Sequence, residues 1–360
     1  MIVELNRKAK IAVGMAIGLL FSGCVGDRRA PIVPVAVVRP PLPVSTPVRP
    51  AKATPPQALV VLVDSLTRNF GGKVGIAVRS IDDGWTVASN GDLKLPQQSV
   101  SKLWVAMTVL DLRDQGRLTL ADPVTVRRAD LTLFHQPIAA LVKGDGYMTT
   151  VGELLQRALT QSDNTANDRL LQFVGGPTAV RAFLARKAIA DIRFGPGERL
   201  LQAGTAGLTW KPEYSTGSAF VRARAALPGS IRLEAFERYI ADPPDGAAPR
   251  AIATVLGRLQ RGELLSRDST QYLIGTMESS RTGRQRMRGA VPPGWSFGHK
   301  TGTGQDLNGR TAGYNDVGIL IAPDGRAYAI AVMIGDTVKT IPQRQDLMQA
   351  VVMGVVANHR

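Results

Sequence analysis

The segment Ser296-Phe-Gly-His-Lys-Thr-Gly-Thr-Gly304 predicts a strand that carries polar side chains at its end. Glycines within a strand permit close approach of another backbone or of a ligand. The Lys300 ammonium and the Thr301 hydroxyl can hold a carboxylate, and the Thr303 N–H can stabilise an oxyanion. Alone, such a segment is a turn at a strand end as often as a site. Whether the segment forms a site therefore depends on which other residues of the chain lie next to it in the fold.

A nucleophile and a base stand 200 residues earlier, in Ser99-Val-Ser-Lys102. Pro96 suits a helix start just before them, so Ser99 and Lys102 lie three residues apart on one predicted helix face. A hydroxyl needs a base to attack at neutral pH, and Lys102 can serve if burial and a cation such as Lys300 keep it neutral. Backbone N–H groups at the helix start favour a developing oxyanion beside Ser99.

A third motif, Ser162-Asp-Asn164, stands at a predicted corner between helices. Thr150-Val-Gly-Glu153 is a capping box that opens the helix before it, and residues 165–173 form the helix after it. Ser162 can pass a proton to a leaving nitrogen, and Asn164 can hydrogen-bond a substrate amide. Asp163 is expected to be structural. Alternatively, all three residues are helix caps.

Apolar periodicity predicts an α/β fold around these motifs. Helices are predicted over residues 58–70 and 341–358, and strands over 74–79, 85–88, 296–301, 317–322 and 327–334. The five strands most simply form one antiparallel sheet, with the terminal helices on one face. The mostly helical insert between the two groups of strands forms a second lobe, and a cleft between lobes is a natural place for a site.

Composition excludes several other functions. The 360 residues include 44 Lys+Arg and 29 Asp+Glu, a net charge of +15. The basic residues are dispersed, without a dense run interleaved with aromatics, so no nucleic-acid partner is expected and a basic surface beside anionic lipid or cell-wall polymer is favoured. Three histidines without ligand spacing predict no metal site, and a Gly-x-Ser-x-Gly elbow is absent, which disfavours zinc and α/β-hydrolases.

The first 56 residues have the composition of a targeting segment and a linker. Lys8 and Lys10 precede an apolar run over 11–21, which is the pattern of a signal peptide, and Ser22-Gly-Cys24 resembles the lipobox of bacterial lipoproteins. Residues 1–24 are therefore predicted to be a lipoprotein signal, with a lipid anchor on Cys24. The alternative is an ordinary signal peptide and a soluble periplasmic or secreted protein. Nine prolines make 25–56 a semi-rigid spacer.

Ser-x-x-Lys, Ser-Asp-Asn and Lys-Thr-Gly occur here in the order typical of class A β-lactamases and penicillin-binding proteins. The chain resembles that superfamily from residue 58 to the C-terminus, and class A most closely. Pro293-Gly-Trp295 and Asn315-Asp-Val-Gly-Ile319 are similar to its extended-spectrum branch. The resemblance implies one catalytic domain over 57–360, with a sheet lobe from 57–95 and 290–360 and a helical lobe from 96–289.

The resemblance implies one more catalytic group, a carboxylate that activates the deacylating water. Class A carries it in Glu-x-x-Leu-Asn within an Ω-shaped loop, and Glu198-Arg-Leu-Leu201-Gln202 occupies that stretch here. Gln202 replaces the usual Asn, with the same amide one methylene further out. The alternative for Glu198 is a solvated loop residue. The segment from 202 to 248 is longer than the family norm, and its shape is left open.

The resemblance also implies an arginine that binds the substrate carboxylate. Arg286 matches the position that some class A branches use, while Arg310 is nearer to Lys300 in sequence but falls in a predicted loop. Asn315 stands where the usual strand arginine would be. An aromatic side chain at the cleft mouth is expected at Phe134 or His135.

Together these features predict a monomeric, periplasm-facing serine β-lactamase that acts on β-lactam small molecules through a Ser99 acyl-enzyme, without a cofactor. Two alternatives stay open at this point. One is a penicillin-binding-type D-alanyl peptidase or esterase that deacylates slowly. The other is a non-catalytic envelope binding protein on the same scaffold.

Overall fold

The computed structural model describes residues 53–360, in which helices pack on both faces of one antiparallel sheet. The helices are α1 (Gln57–Asn69), α2 (Lys102–Asp114), α3 (Val151–Gln156), α4 (Asn164–Phe173), α5 (Gly176–Arg186), α6 (Glu198–Thr205), α7 (Ala219–Ala226), α8 (Gly229–Ala241), α9 (Pro249–Gln260), α10 (Arg267–Glu278) and α11 (Ile341–Ala357). The strands are β1 (Lys73–Ser80), β2 (Thr86–Ser89), β3 (Leu95–Pro96), β4 (Pro123–Val126), β5 (Tyr147–Thr150), β6 (Gly246–Ala247), β7 (Ser296–Thr303), β8 (Asp306–Leu307), β9 (Arg310–Thr311), β10 (Tyr314–Ile321) and β11 (Ala327–Asp336).

The main sheet joins strands from both ends of the chain, in the order β2-β1-β11-β10-β7. Its strands are antiparallel, with Ile76 of β1 opposite Val332 of β11 and Lys300 of β7 opposite Val317 of β10. This topology confirms the predicted α/β fold. Strand β7 lies at the edge, so one row of its backbone groups is not used by the main sheet and is available to a ligand.

Two hydrophobic cores cover the faces of the sheet, which explains why its central strands are apolar on both sides. On one face α1 and α11 contribute Leu59 and Val351, which pack with Ile330 of β11. This confirms the prediction that the terminal helices share a face. On the other face α9 packs on β1 and β11, and the core continues into the helical lobe around Trp104, which is fully buried.

Helix α2 runs through the middle of the helical lobe and positions the first motif. Every residue from Lys102 to Asp111 is buried, so the helix has no solvent face over that length. A helix buried on all sides belongs to a core. The base of the first motif is therefore fixed by packing rather than presented on a surface.

The long segment 202–248, whose shape the sequence left open, contains the end of α6, a 3₁₀ turn at Pro212–Ser215, α7 and α8. Two small apolar clusters hold it. Tyr214 and Phe220 pack with Leu133 of the helical lobe, and Phe236 packs with Ala312 beside the main sheet. The inserted segment is therefore folded and packed against the rest of the domain, and it is not an open loop.

One local prediction was only half right. The Thr150 hydroxyl accepts from the Glu153 N–H at 3.2 Å, as a capping box requires. The Glu153 carboxylate instead accepts from Tyr147, Thr149 and Arg157, so it is not the reciprocal cap. Helix α3 ends at Gln156 and is followed by a π-helical turn over Arg157–Gln161.

The predicted signal segment and Cys24, with all but the last four residues of the predicted linker, lie outside the described residues. Within residues 53–360, no helix is both long and apolar enough to cross a membrane.

Candidate active site

The first motif lies on a 3₁₀ turn, Gln98–Ser101, that leads into α2. The sequence predicted an α-helix here. Because a 3₁₀ turn has 3.0 residues per turn, side chains three residues apart are eclipsed. The Lys102 Nζ accordingly donates to the Ser99 Oγ at 2.7 Å. A hydroxyl in direct contact with an amine is the arrangement that activates a serine nucleophile.

The Lys102 amine is buried among acceptors from two other segments. Its Nζ lies 2.6 Å from Asn164 Oδ1, 3.2 Å from the Ser162 carbonyl oxygen and 3.0 Å from Glu198 Oε1. Both side chains of the Lys102–Glu198 pair are at most 5% exposed. A buried charge requires a partner of this kind. The geometry allows a proton to pass between Ser99, Lys102 and Glu198 through direct contacts.

Ser162 bridges the two lysines of the site. It follows the π-helical turn and takes a left-handed conformation with φ 60°, which turns the chain at the predicted corner. The Lys300 Nζ donates to the Ser162 Oγ at 2.9 Å, and the Lys102 Nζ lies 3.4 Å from the same oxygen. Burial, and then the charges of Lys102 and Arg286, hold the pKa of Lys300 well below its usual value. Lys300 can therefore give up a proton to Ser162.

Asp163 and Asn164 make different contacts, and those of Asp163 confirm the structural role predicted for it. The Asp163 carboxylate accepts from the Ala166 and Ile138 N–H groups at 2.9 and 2.7 Å, so it caps α4 and ties down a neighbouring turn. The Asn164 Nδ2 donates to the Leu133 carbonyl oxygen at 2.8 Å, and the side chain also lines the cleft.

Glu198 begins α6 and is 4% exposed, so the alternative of a solvated loop residue is wrong. Its N–H donates to Asp168 Oδ1 at 3.0 Å, which fixes the start of the helix. One turn later, the Gln202 Nε2 donates to Glu198 Oε2 at 3.2 Å and to Gln98 Oε1 at 3.0 Å. A carboxylate and an amide side by side can hold and activate a water.

Strand β7 reaches this cluster because glycine occupies position 302. A Cβ there would clash with the Gln97 carbonyl oxygen and would stand 3.0 Å from the Asn315 Nδ2. Without a side chain, β7 packs directly on the turn that carries Ser99. Thr301 and Thr303 then line the same cleft as Ser99.

Arg286 belongs to the cleft and Arg310 does not. The Arg286 guanidinium donates to Thr303 Oγ1 at 2.5 Å and to the Gly302 carbonyl oxygen at 2.9 Å, and it lies 3.7 Å from the centre of the Tyr314 ring. Arg310 instead pairs with Asp336 and Glu237. Of the two arginines considered, Arg286 is thus the one whose guanidinium lies beside Thr303 in the cleft.

The cleft has a volume of about 520 Å³ and is open to solvent on one side. Both aromatic side chains considered for its mouth are present. It is lined by Ser99, Phe134, His135, Gln161, Ser162, Asn164, Gln202, Arg224, Thr282, Gly283, Arg286, Thr301, Thr303, Gly304, Gln305 and Asp306. Within the part of the chain that the structure describes, no three His, Cys, Asp or Glu side chains are grouped to hold a metal ion.

Four buried residues that support the site were missed by sequence reasoning, namely Gln98, Asp168, Tyr239 and Asp245. Gln98, directly before the nucleophile, has φ 53° and donates from its N–H to Asp245 Oδ2 at 2.7 Å. Its side chain donates to the Tyr239 hydroxyl at 2.6 Å. Asp168 anchors the N–H of Glu198. Asp168 follows Asn164 by one helical turn and could have been found from that spacing, whereas Asp245 is brought in from a distant segment.

The Asp245 carboxylate makes the folded state sensitive to pH. Burial raises the pKa of Asp245 from 3.8 to about 6, and its Oδ1 is buried without a partner among the described residues. Between those two pH values the folded state binds this proton and the unfolded chain does not. The contribution of Asp245 to stability is therefore lost as the pH rises from about 4 to about 6.

Asp245→Asn removes that ionisation. We expect the unfolding free energy of the variant minus that of the wild type to be more positive at pH 7.5 than at pH 4.5, by on the order of 2 kcal/mol, so that the variant gains relative stability at the higher pH. Denaturant titrations of both proteins at the two pH values measure the difference. Asp242→Asn, at an exposed position on the same loop, is the control. If the variant and the wild type differed in unfolding free energy by the same amount at both pH values, the raised pKa of Asp245 would be contradicted.

This fold and site define a class of protein. A serine in contact with a buried lysine, a second serine that bridges two lysines, and a buried carboxylate beside an open edge strand are the parts of a serine acyl-transfer enzyme. The arrangement combines all three motifs that the sequence singled out.

Comparison with known proteins gives the family. Residues 58–356 match the family model described as the Beta-lactamase enzyme family. The extended-spectrum β-lactamase PER-1 of Pseudomonas aeruginosa is 30% identical over 279 residues, which cover 77% of this chain and 80% of that protein. β-Lactamase CTX-M-8 of Citrobacter amalonaticus is 29% identical over 74% of this chain and 77% of its own length.

Comparison with solved structures indicates the same family. A β-lactamase from Chitinophaga pinensis superposes with a TM-score of 0.69 at 25% identity, covering 84% of this chain and 99% of that chain. An ancestral class A β-lactamase superposes with a TM-score of 0.64 at 30% identity, covering 83% of this chain and 99% of that one. The chain belongs to the class A β-lactamase family, as the sequence predicted.

Proposed function

We propose that this protein hydrolyses β-lactams through an acyl-enzyme on Ser99. The proposal is carried by one observation, the continuous buried contact from the Ser99 Oγ to the Lys102 Nζ (2.7 Å) and from there to Glu198 Oε1 (3.0 Å). The family supplies the substrate class, since the relatives are named β-lactamases.

In the acylation step, the Ser99 oxygen attacks the β-lactam carbonyl carbon while its proton passes to Lys102, directly or onward to Glu198. The backbone N–H groups of Ser99 and Thr303 bind the oxyanion, each worth about 3 kcal/mol in the transition state. The C–N bond of the ring then breaks. Ser162 gives its proton to the departing nitrogen and regains one from Lys300 or Lys102, which contact its oxygen at 2.9 and 3.4 Å.

In the deacylation step, Glu198 takes a proton from a water, and the resulting hydroxide attacks the ester carbon. Ser99 leaves with a proton, and the product carries a new carboxylate. The 3.2 Å contact between Gln202 and Glu198 supports a water site shared by the two side chains. A buried carboxylate in this position favours full turnover over the slowly deacylating peptidase alternative.

Substrate binding uses the open edge of β7. Asn164 and the β7 backbone hold the amide of the acyl side chain, while Lys300, Thr301, Thr303 and Arg286 receive the ring carboxylate. The Arg286–Thr303 contact supports this assignment because it holds a threonine hydroxyl and a guanidinium next to each other in the cleft.

The test is turnover of a chromogenic cephalosporin by the purified protein. Hydrolysis confirms the function. A folded protein that binds a fluorescent penicillin covalently without turnover would instead support the D-alanyl peptidase alternative, and one that does not react at all would support the non-catalytic alternative.

We also propose that the protein is a monomer held on the periplasmic side of the cell envelope by a lipid on Cys24. Growth of an expressing bacterium with a clickable fatty acid is expected to label the wild type and not Cys24→Ser. No label on the wild type would contradict the anchor and leave an ordinary signal peptide, with a soluble periplasmic or secreted enzyme, as the route of export.

A further inference from the structure

The inserted helix α7 brings a cation to the cleft that none of the three motifs provides. Arg224 is half-buried and lines the cleft together with Gln305. Its Nη1 donates to the Gln305 Oε1 at 3.1 Å. Gln305 in turn donates to the carbonyl oxygen and to the side-chain oxygen of Gln202, at 2.8 and 3.1 Å. Arg224 is therefore connected, through Gln305 and Gln202, to the helix α6 that begins with Glu198.

Aromatic packing holds α7 in place. Phe220, one turn before Arg224, is 4% exposed, and its ring meets Tyr214 and Phe134 edge-on at centroid distances of 5.8 and 5.3 Å. Phe134 itself lines the cleft. Because the helix is fixed by these contacts, little further ordering is needed before Arg224 can bind a ligand.

The Arg224 guanidinium has N–H donors that Gln305 does not use. It has five N–H donors in a planar fork that matches a carboxylate. Within residues 53–360, no carboxylate oxygen lies within 4 Å of it, whereas Arg310 pairs with two acids. Asp306 also lines the cleft, but its carboxylate accepts from the Thr311 hydroxyl. Arg232 lines the small space next to Arg224 and adds to the positive charge.

The two arginines of the cleft contact different parts of it. Arg286 donates to Thr303, while Arg224 donates to Gln305, which in turn donates to Gln202. In a β-lactam, the ring carboxylate and the acyl side chain project from opposite ends of the fused rings. With the ring carboxylate held at Arg286, Arg224 is the second arginine of the cleft lining that can meet an anion on the acyl side chain.

We propose that Arg224 forms a second anion-binding position, which receives a carboxylate carried on the acyl side chain of the substrate. This inference rests on the proposed function. It makes the inserted segment a determinant of substrate choice, favouring β-lactams with an anionic acyl group over neutral analogues.

The experiment uses benzylpenicillin and α-carboxybenzylpenicillin, which differ by one carboxylate on the acyl side chain. The ratio of their kcat/KM values, carboxylated over neutral, is measured for the wild type, Arg224→Gln and Arg224→Lys. We expect Arg224→Gln to lower the ratio about tenfold, the size of one charge-assisted hydrogen bond, and the ratio cancels any effect that the substitution has on both substrates alike. Arg224→Lys keeps the charge and loses the fork, so its ratio falls between the two.

Arg222→Gln is the matched control, because Arg222 is exposed on the same helix and donates to Ser218. It is expected to leave the ratio unchanged. An unchanged ratio in Arg224→Gln, or an equal drop in Arg222→Gln, would overturn the proposal while the proposed function stands. If the wild type hydrolyses neither penicillin, the proposed function fails and this inference fails with it. Should Arg224→Gln not fold, the ratio for Arg224→Lys decides.

Discussion

Ser99→Ala is expected to lower kcat/KM for a chromogenic cephalosporin on the order of 10⁴-fold or more, because Ser99 is the hydroxyl closest to the Lys102 amine that is paired with Glu198. Ser162 is the nearest competitor, but its oxygen accepts a hydrogen bond from Lys300 at 2.9 Å and stands 3.4 Å from Lys102. The Ser99 oxygen stands 2.7 Å from that same amine.

Steady-state kinetics and a thermal melt of the variant measure this effect. The melting temperature should change little, since alanine removes only one hydroxyl. Ser230→Ala makes the same chemical change on an exposed position of α8 and should retain wild-type activity. Activity of Ser99→Ala within tenfold of the wild type would show that another group is the nucleophile.

Glu198→Gln is expected to separate the two half-reactions. General-base catalysis contributes roughly 10²–10⁴-fold, so hydrolysis of the acyl-enzyme should slow by that factor. Acylation continues, because the Ser99–Lys102 contact is intact. A fast burst of product followed by a slow steady state is the expected time course, with the acylated protein as the main species.

The glutamine keeps the size of the side chain and its contact with Gln202, but it removes the counter-charge of the buried Lys102. A thermal melt therefore accompanies the kinetics. Glu213→Gln, at an exposed position in the inserted segment, is the control. If Glu198→Gln turns over at the wild-type rate, the deacylating base lies elsewhere.

The strands, the terminal helices and the three motifs could be predicted because each depends on local sequence. Residues 74–79 and 327–334 are apolar on both faces, and their register across the sheet, such as Ile76 opposite Val332, follows once both are buried. The spacing of Ser99 and Lys102 likewise places them on one face in either type of helix.

The supporting contacts could not be predicted because they join segments far apart in the chain. Gln98 meets Asp245 across 147 residues and Gln202 across 104. Glu153 reads as half of a capping box, yet a tyrosine and a threonine from β5 take its carboxylate, with Arg157, in the folded chain. Arg224 carries no motif, and only the packing of Phe220 on Phe134 reveals that it borders the cleft.

Three distant stretches of the chain, around Ser99, Ser162 and Lys300, meet in one network of contacts beside the Ser99 hydroxyl. Intact mass followed by peptide mapping of Glu198→Gln, after a brief exposure to benzylpenicillin, tests it most directly. We expect one adduct with the full mass of the penicillin, since ring opening expels nothing, located on the peptide that contains Ser99. An adduct on any other residue, or unmodified protein after the exposure, would contradict the account.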